Sequence, residues 1–430
     1  MNINLQTRRE FLRRSITLAS IAWTVPSFLH RTVLALDNPL DQPGKLVSGD
    51  DPILVVIQLS GGNDGLNTIV PYTNDIYYSQ RSKLAVSANE VLKLNDTLGF
   101  HPKLSKLKSL FDNGKMAVIQ GVGYPNPNRS HFRSMEIWHT ASDADKIEKH
   151  GWIGRYFDNH CQGCDPTTAV NIGKLSPQAF SSKTPFGVSI EDPEMYRWIN
   201  TGAENETAIK SAEMFFKSLN QTPSKSSSPM MTPNPSAPQS IDYLQRTAMN
   251  AQLSSDKIRE VVKKYRSNIT YPDSGIGYSL KLVAQMIAGK LPTRIYYVSQ
   301  GGYDTHSNQL TDQTRLLGEL SEAVSAFYAD LEEQRNASRV LSFSFSEFGR
   351  RVAENASGGT DHGAAGPMFV FGARIKPGLF GSAPNLADLD HGDLKHTIDF
   401  RSVYATVLEN WLGVKPTSIL GRSFPKIGFV

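Results

Sequence analysis

A short run of apolar, largely β-branched residues constrains the fold of this chain more than any other feature. Residues 53–59 read Ile-Leu-Val-Val-Ile-Gln-Leu and lead directly into a Gly-rich polar segment. Such a continuous run is typical of a strand that is buried on both faces of a parallel sheet. Similar runs recur at 116–122, 294–299, 340–345 and 368–371, so we expect several strands of this kind.

Helical patterns lie between several of these runs. Apolar residues return every three or four positions at 309–334 and at 399–412, which is the spacing of amphipathic helices. This alternation predicts an α/β fold with a central, mainly parallel sheet and helices on both faces. With 430 residues, 39% of them hydrophobic and 20% charged, the chain can bury such a core, and collagen-like, coiled-coil and fully disordered chains are excluded.

The first 35 residues read as an export signal. They hold five arginines against one glutamate, a net charge of +4, which equals the formal net charge of the whole chain. Residues 7–12, Thr-Arg-Arg-Glu-Phe-Leu, resemble the twin-arginine consensus, and a short apolar stretch follows at 16–29. A lone membrane helix is the alternative, but this stretch is shorter than the roughly 20 residues that span a bilayer. We therefore predict no stable membrane span and export to the periplasm or the exterior by the twin-arginine machinery.

The remainder of the chain is formally neutral, which argues against nucleic acid as a partner. Residues 36–52 are predicted to be a polar linker, and residues 53–430 a single domain. Within that domain, residues 221–240 contain five prolines and six serines. Such a segment buries too little apolar area to offset the entropy of ordering it, so we predict a flexible excursion there instead of a domain boundary.

Cys161 and Cys164 are the two cysteines of the chain and lie three positions apart. A redox pair and half of a zinc site both fit this spacing, but no second cysteine pair is present to complete a four-thiolate site. We favour a local disulfide, as expected in an oxidising compartment.

Polar residues gather just beyond the ends of the predicted strands. In open parallel sheets this edge is where ligands bind. Two pairs of residues there combine a carboxylate with an imidazole, namely Asp304 with His306 and Asp361 with His362. These are ligand types for zinc, manganese and related divalent ions. One such pair arises often by chance, but two pairs at strand ends of one chain favour a metal site.

Three other features at the strand ends have both a structural and a functional interpretation. The Gly-Gly-Asn-Asp-Gly segment at 61–65 is compatible with a simple turn, because Gly and Asn/Asp tolerate positive φ. Ser130 precedes a helical pattern and is as compatible with a helix cap as with a nucleophile. Glu347 and Arg350 follow a predicted strand and fit either a structural ion pair or part of a site.

Five segments, taken together, resemble one bacterial family. They are Gly61-Gly-Asn-Asp-Gly-Leu-Asn67, Arg129-Ser-His-Phe132, Tyr303-Asp-Thr-His306, Ser346-Glu-Phe-Gly-Arg350 and Thr360-Asp-His-Gly363. In this order, behind a twin-arginine leader, they are similar to the family called domain of unknown function 1501. That family is placed in the alkaline phosphatase-like superfamily, which includes phosphatases, sulfatases and cofactor-independent phosphoglycerate mutases. The resemblance covers essentially all of the mature chain and implies an alkaline phosphatase-like fold.

The resemblance also implies a divalent metal ion, with zinc, manganese and calcium as the candidates. Asp64 resembles the first aspartate ligand of the superfamily, and Asp304 with His306 resembles a ligand pair that is normally spaced by four residues instead of two. His362 resembles the late histidine that precedes the final core strand. The full set of candidate metal ligands is Asp64, Asp304, His306, Glu347, Asp361 and His362.

Candidate catalytic and substrate-binding residues follow from the same resemblance. Ser130 occupies the region of the superfamily nucleophile, at the start of a helix whose positive end favours an anionic group. We assign Ser130 and His131 as candidate catalytic residues. Asn63, Arg129 and Arg350 are the candidate substrate-binding residues.

The chain departs from the superfamily at Phe348, where phosphatases and sulfatases place a metal-binding histidine. This departure leaves open a one-metal site, a site completed by Asp361, or an inactive protein. The leading hypothesis is an exported, metal-dependent hydrolase of phosphate or sulfate esters, with an anionic small molecule or a glycan ester as substrate. The second is a catalytically inactive member that binds a glycan, an anion or a protein partner. A third, an exported redox protein that uses the two cysteines, has no further redox motif to support it.

Overall fold

The computed structural model describes residues 51–161, 164–183, 186–194 and 254–430. The predicted signal peptide at 1–35, nearly all of the linker at 36–52 and the excursion at 221–240 lie outside these residues. Within the described part, no helix is long and apolar enough to cross a membrane.

The described strands form a nine-stranded central sheet and two small sheets. In chain order, the central strands are β1 (Ile53–Leu59), β2 (Met116–Gly123), β3 (Ala169–Ile172), β4 (Val188–Ile190), β5 (Ile295–Gln300), β6 (Val340–Phe345), β7 (Gly366–Gly372), β8 (Gly378–Phe380) and β9 (Ile398–Asp399). The small sheets pair Leu389–Asp390 with Asp393–Leu394, and Gly99–Phe100 with both Ile69–Val70 and Leu92–Lys93.

The described helices follow the strands or lie between them. They are α1 (Gly65–Thr68), α2 (Asp75–Gln80), α3 (Ser105–Asp112), α4 (His131–Thr140), α5 (Trp152–His160), α6 (residues 254–264), α7 (Gly275–Ala288), α8 (Gln309–Glu333), α9 (Phe400–Thr406) and α10 (Thr417–Leu420). Helix α9 continues into a π-helical turn at Val407–Trp411, and short 3₁₀ turns occur at Pro102–Leu104, Pro166–Thr168, Gln178–Phe180 and Ala337–Arg339.

The order of strands across the central sheet is β8-β2-β7-β6-β1-β5-β3-β4, with β9 beside β2. Strand β1 lies in the middle and runs parallel to its neighbours β5 and β6. Strand β7 runs antiparallel to both β6 and β2, and the other described pairs of this sheet are parallel. The prediction of a mainly parallel sheet is therefore confirmed.

Each face of the sheet carries its own hydrophobic layer, because successive side chains of a strand point to opposite faces. From β1, Val55 and Ile57 pack in the layer with α3, α6, α7 and α8. Leu54 and Val56 pack in the opposite layer with α4, α5, α9 and α10. All seven residues of β1 are buried, which explains why six of the seven are apolar; the exception is Gln58.

The topology brings separate loops to one edge of the sheet. Strands β1, β5 and β6 are parallel neighbours, so the segments after Leu59, Gln300 and Phe345 all leave the sheet at its carboxyl edge. Strand β7 is antiparallel, so the segment before Gly366 reaches the same edge. Strand β2 ends there too and leads into α4.

Cys161 and Cys164 form a disulfide just after α5, with their Cα atoms 5.4 Å apart. The structure therefore contains the local pairing that the spacing favoured. Cys161 also packs against the hydrophobic layer that holds α4 and α5.

Candidate metal centre

Three imidazole rings meet one carboxylate at the carboxyl edge of the sheet. His131 is the first residue of α4, Asp304 and His306 follow β5, and His362 precedes β7. The Nε2 atoms of His306 and His362 lie 2.9 Å apart, and each lies 3.2 Å from Oδ1 of Asp304. Nε2 of His131 lies 3.3 Å from Oδ2 of the same carboxylate. Ligand atoms of His131, Asp304 and His362 all fall within 4.8 Å of one another, as for groups that share one ion.

Two of these rings are oriented through their opposite nitrogens. Nδ1 of His131 lies 2.9 Å from Oε1 of Glu347, and Nδ1 of His362 lies 2.7 Å from the carbonyl oxygen of Arg129. A carbonyl or an ionised carboxylate accepts but does not donate, so each Nδ1 carries the hydrogen and Nε2 presents a lone pair. Outer partners of this kind fix the tautomer and orientation of metal-ligating histidines.

His306 is arranged in a similar way. Its Nδ1 lies 3.4 Å from Oδ1 of Asp361, which also accepts a hydrogen bond from the side chain of Asn355 at 3.3 Å. The carbonyl of Arg129 fixes the tautomer of His362, so Nε2 of His362 presents a lone pair. Nε2 of His306 lies only 2.9 Å from this lone pair, so a proton or a metal cation must lie between the two nitrogens. A metal ion supplies that cation for both rings at once.

Nε2 of His131 gives an independent reason to place a metal here. This atom is buried and makes no hydrogen bond among the described residues, and its contact with Oδ2 of Asp304 at 3.3 Å satisfies it only if Nε2 carries a proton. Leaving a buried polar atom unsatisfied costs about 1–3 kcal/mol, so native structures rarely tolerate one without a functional cause. Coordination of a metal ion satisfies this lone pair. The residues present therefore fit a divalent metal ion.

Arg350 ties the carboxylate ligand to the surrounding loops. Its side chain is fully buried, and Nη2 donates to Oδ1 of Asp304 at 2.8 Å. The guanidinium also donates to four backbone carbonyl oxygens, those of Gly61, Gly62, Tyr303 and Thr360. One side chain thus joins the loop after β1, the loop after β5 and the segment before β7. Arg350 was predicted to bind substrate. In this structure its donors are occupied by these contacts, and the side chain links the three segments.

The electrostatics keep the carboxylate ligand ionised. Burial opposes ionisation of Asp304, but the hydrogen bond and the positive charge of Arg350 outweigh it, with His362 and His131 close by, and the pKa of Asp304 is lowered to about 2. The hydrogen bond that His131 donates to the carboxylate of Glu347 raises the pKa of His131, and partial burial of the ring opposes this change. A proton therefore competes for Nε2 of His131 at higher pH than it would in an isolated imidazole.

Phe348 packs against two of the histidines instead of supplying an imidazole of its own. Its ring centroid lies 4.9 Å from that of His131 and 4.5 Å from that of His362, and the side chain is buried. Gly62 leaves room for this ring, since a Cβ at that position would come within 2.4 Å of Phe348. Position 348 therefore contributes packing against the two histidines, and His131 reaches the group of candidate ligands from α4.

Comparison with known proteins places the chain in a family. The model of a family described as "Protein of unknown function (DUF1501)" matches residues 52–421. The chain belongs to this family. No curated protein matches this DUF1501 chain in sequence.

Several solved structures are similar to this DUF1501 protein, all at low sequence identity. The lipoteichoic acid synthase LtaP from Listeria monocytogenes is 9% identical, with 91% of this chain and 80% of that chain covered and a TM-score of 0.38. A protein in the alkaline phosphatase superfamily from Vibrio parahaemolyticus is 11% identical, with coverages of 95% and 77% and a TM-score of 0.34. The PsFucS1 sulfatase from Pseudoalteromonas sp. is 9% identical, with coverages of 96% and 74% and a TM-score of 0.37. The roles of the site residues rest on the contacts of this chain alone.

Asp64 of this DUF1501 chain lies outside the group of converging ligand atoms, although it was predicted as a metal ligand. Its fully buried carboxylate caps α1 by accepting from the backbone N–H of Leu66 at 3.1 Å. The other oxygen accepts from the side chains of Arg81 and Gln309. These contacts occupy the carboxylate and describe a structural role instead of metal ligation.

Glu347 and Asp361 lie behind the ligand histidines. Glu347 is 1% exposed, and its Oε1 accepts from the backbone N–H of Gly61 as well as from His131, both at 2.9 Å. Asp361 stands beside Nδ1 of His306. Both carboxylates, predicted as ligands, instead orient the histidine rings in this structure.

The remaining predicted substrate-binding side chains are also occupied. Oδ1 of the buried Asn63 accepts from Thr68 at 3.0 Å and from Gln313 at 2.9 Å. Arg129 pairs with Asp393 through Nε and Nη2, at 2.9 and 2.6 Å. In this structure both side chains therefore hold neighbouring loops in place.

An open cleft of about 470 Å³ adjoins the ligand group and contains residues that the motifs did not indicate. Helix α4 forms one wall, and the ends of β1 and β5 form the other. The residues of α4 that line it are His131, Phe132, Met135, Glu136 and His139. Their spacing of three and four positions places them on one helical face, which is the sequence signal that could have found them. His131 and Asp304 line the cleft as well, so it opens directly onto the candidate metal ligands.

His139 closes the inner end of this cleft as a neutral ring. Its Nε2 lies 3.2 Å from Oε1 of Gln58 and 3.0 Å from the hydroxyl of Tyr297. Complete burial lowers its pKa to about 4. The ring is therefore uncharged at neutral pH and contributes no positive charge to the cleft.

Proposed function

We propose that this protein is an exported, metal-dependent hydrolase of phosphate or sulfate esters. The observation that carries the proposal is the convergence of three Nε2 atoms on the carboxylate of Asp304, with that of His131 buried and without a hydrogen bond among the described residues. We propose that His131, Asp304, His306 and His362 hold one divalent ion. Imidazole ligands favour zinc, manganese or a related transition metal over calcium, which prefers oxygen ligands.

A divalent ion held there supplies a Lewis acid that attracts an anionic ester oxygen. Helix α4 adds a second source of positive potential, because its first N–H groups have no acceptor within the helix. No acidic residue stands in its first turn. Since His131 belongs to that turn, the helix end and the ligand group face the same place, where an anionic group is stabilised.

Ser130 is the nucleophile that we propose. It stands between Arg129, whose carbonyl oxygen contacts His362, and the ligand His131. Ser130 occupies the N-cap position of α4 in an extended conformation, but its side chain makes no capping hydrogen bond. The residue is exposed, so its hydroxyl can reach an ester at the helix end. These observations favour the nucleophile over the helix cap among the two roles predicted for it.

Export completes the proposal. The twin-arginine segment at 7–12 and the apolar stretch at 16–29 support it from the sequence. The disulfide between Cys161 and Cys164 supports it from the structure, because such bonds persist in oxidising compartments outside the cytoplasm.

Metal analysis of the purified mature chain, followed by an activity screen, tests the proposal. We expect about one divalent ion per chain and hydrolysis of at least one ester in a panel of phosphate monoesters, phosphate diesters and sulfate esters, assayed with zinc, manganese, calcium and magnesium. His306→Ala should lose metal and turnover together. Bound metal without any turnover above that variant would instead identify a catalytically inactive member that binds an anion, a glycan or a protein.

A further inference from the structure

We propose that the cleft beside the metal ligands binds an uncharged sugar ring, which is the alcohol part of the ester, and that Phe132 is the surface on which the ring stacks. This inference rests on the proposed function, because it names the alcohol released by the hydrolase. It concerns residues of α4 and of the β1 and β5 ends that none of the motifs assigned to the substrate.

Phe132 is the first reason. Its side chain is 92% exposed, the largest exposure among the described large hydrophobic residues, and it lines the cleft one residue after the ligand His131. The face of an aromatic ring carries partial negative charge and attracts weakly positive groups such as the polarised C–H bonds of a sugar ring. A ring stacked on Phe132 would stand beside the ligand group, where its ester oxygen must lie.

The charges on the walls of the cleft restrict what can bind there. No lysine or arginine is found among the described residues that line it. Glu136 is neutralised by Arg133 at 2.7 Å, His139 is uncharged, and Glu347 is buried against His131. Apart from the metal ligands, the described walls therefore offer no cation to neutralise a further negative charge on the ligand. They also offer no free carboxylate that could bind a positively charged ligand. An uncharged alcohol is favoured over a polyanionic or cationic one.

The polar groups of the walls favour an alcohol with several hydroxyls over a hydrocarbon. Oε1 of Gln58 accepts from Tyr297 and lies near His139, and no described residue accepts from the amide nitrogen of Gln58. Gln178 and Ser60 add a second amide and a hydroxyl to the lining. Sugar hydroxyls donate and accept, so they can satisfy such groups, which an apolar ligand would leave unpaired.

Gly301 leaves the cleft open beside β5. A Cβ built on this residue meets no atom within 4 Å, so the space in front of it is free. The volume of about 470 Å³ lies within the range of roughly 300–1,000 Å³ that is usual for small-ligand pockets. A larger side chain at position 301 should therefore fold normally and occupy the place of the ring.

The test compares kcat/KM for two esters of the same acid. A hexose 6-phosphate is compared with methyl phosphate, and a hexose 6-sulfate with methyl sulfate. We expect the metal-loaded protein to prefer the hexose ester at least tenfold. Phe132→Ala and Gly301→Leu should each lower that ratio about tenfold or more, and Phe132→Trp should restore most of it. Ile147→Ala is the matched control, because Ile147 is 87% exposed and does not line the cleft, and it should leave the ratio unchanged.

Several outcomes would overturn the inference while leaving the hydrolase intact. They are a wild-type ratio near one, equal ratios in Phe132→Ala and Ile147→Ala, and a preference for a choline ester or a nucleotide over the hexose ester. If the protein hydrolyses no ester, the proposed function fails, and the cleft is then tested by NMR titration of the metal-loaded chain with methyl glucoside, galactoside and mannoside. Binding that is lost in Phe132→Ala supports the sugar site, and no binding by the wild-type chain overturns it.

Discussion

Nδ1 of His131 lies 2.9 Å from Oε1 of Glu347, and this contact determines which nitrogen of the ring faces the ligand group. The same oxygen accepts the backbone N–H of Gly61, so helix α4 and the loop after β1 are joined through one carboxylate. Because Nδ1 is committed to Glu347, Nε2 is left as a lone pair directed at the place where His306, His362 and Asp304 converge.

Replacing Glu347 therefore tests whether it acts through His131. Glu347→Gln keeps an oxygen acceptor for both hydrogen bonds but removes the negative charge that makes the ring more basic. We expect metal affinity to fall about 10- to 100-fold, as for other partners of ligating histidines. Titration with a competing chelator measures this loss. Glu347→Ala should in addition lower the free energy of unfolding by about 1–3 kcal/mol, because the buried N–H of Gly61 loses its acceptor.

Replacing Asp64 should affect stability strongly and metal binding little, the opposite of Glu347→Gln. Its carboxylate pairs with Arg81, and both side chains are fully buried. Breaking such a pair leaves an uncompensated buried charge, so Asp64→Ala should lower the free energy of unfolding by about 3–5 kcal/mol. The folded fraction should still bind one metal ion, as measured by elemental analysis after gel filtration. Loss of metal from well-folded Asp64→Asn would restore Asp64 to the ligand set.

The contrast between these two residues shows how far the sequence could lead. Asp304 and His306 follow β5, so a parallel sheet could be expected to bring them to its carboxyl edge. His362 precedes its strand and reaches that edge only because β7 is antiparallel, which the sequence pattern did not indicate. After β1 the sequence allowed a turn at 61–65 but did not indicate where that turn would direct Asp64. Gly61 and Gly62 have φ of +122° and +84°, so they redirect the chain before Asp64.

Long-range partners account for the other differences. Arg350 looked like a substrate-binding residue because a cation near a strand end suits an anion, yet its donors go to carbonyl oxygens of three separate loops. Phe348 was interpreted as the loss of a metal ligand, because the sequence shows only which residue stands at that position. Its contact with the rings of His131 and His362 depends on how α4 packs against the sheet, and a local sequence pattern does not contain that information.

Metal affinity should depend on pH through the histidines alone. Asp304 has a pKa of about 2 and stays ionised well below neutral pH, so it contributes little to the change. Affinity should fall as the pH drops through the imidazole range, because a protonated Nε2 cannot bind a metal. Glu347 raises the pKa of His131, so the fall should begin above the usual pKa of an exposed histidine. In Glu347→Gln the fall should shift to lower pH, and an unchanged profile would contradict this role.

Removing the metal should destabilise the protein. An ion that binds only the folded chain stabilises it by about 2.7 kcal/mol when its free concentration is 100 times Kd. Dialysis against a chelator should lower Tm, and adding back zinc or manganese should restore it. His362→Ala is the control, since its Tm should respond little to the chelator or to added metal.

Ser130→Ala separates the chemistry from metal binding and from the architecture of α4. The side chain of Ser130 makes no capping hydrogen bond. Its removal should therefore not lower the free energy of unfolding by the roughly 1 kcal/mol that loss of an N-cap hydrogen bond costs. Metal content and Tm should therefore match the wild type, while kcat falls at least 100-fold if the hydroxyl attacks the ester. Ser130→Cys offers a matched probe, because it keeps a nucleophilic atom in the same place and should trap a covalent adduct visible by mass spectrometry. A Tm lowered by several degrees together with undiminished kcat would show that Ser130 caps the helix and that water attacks instead.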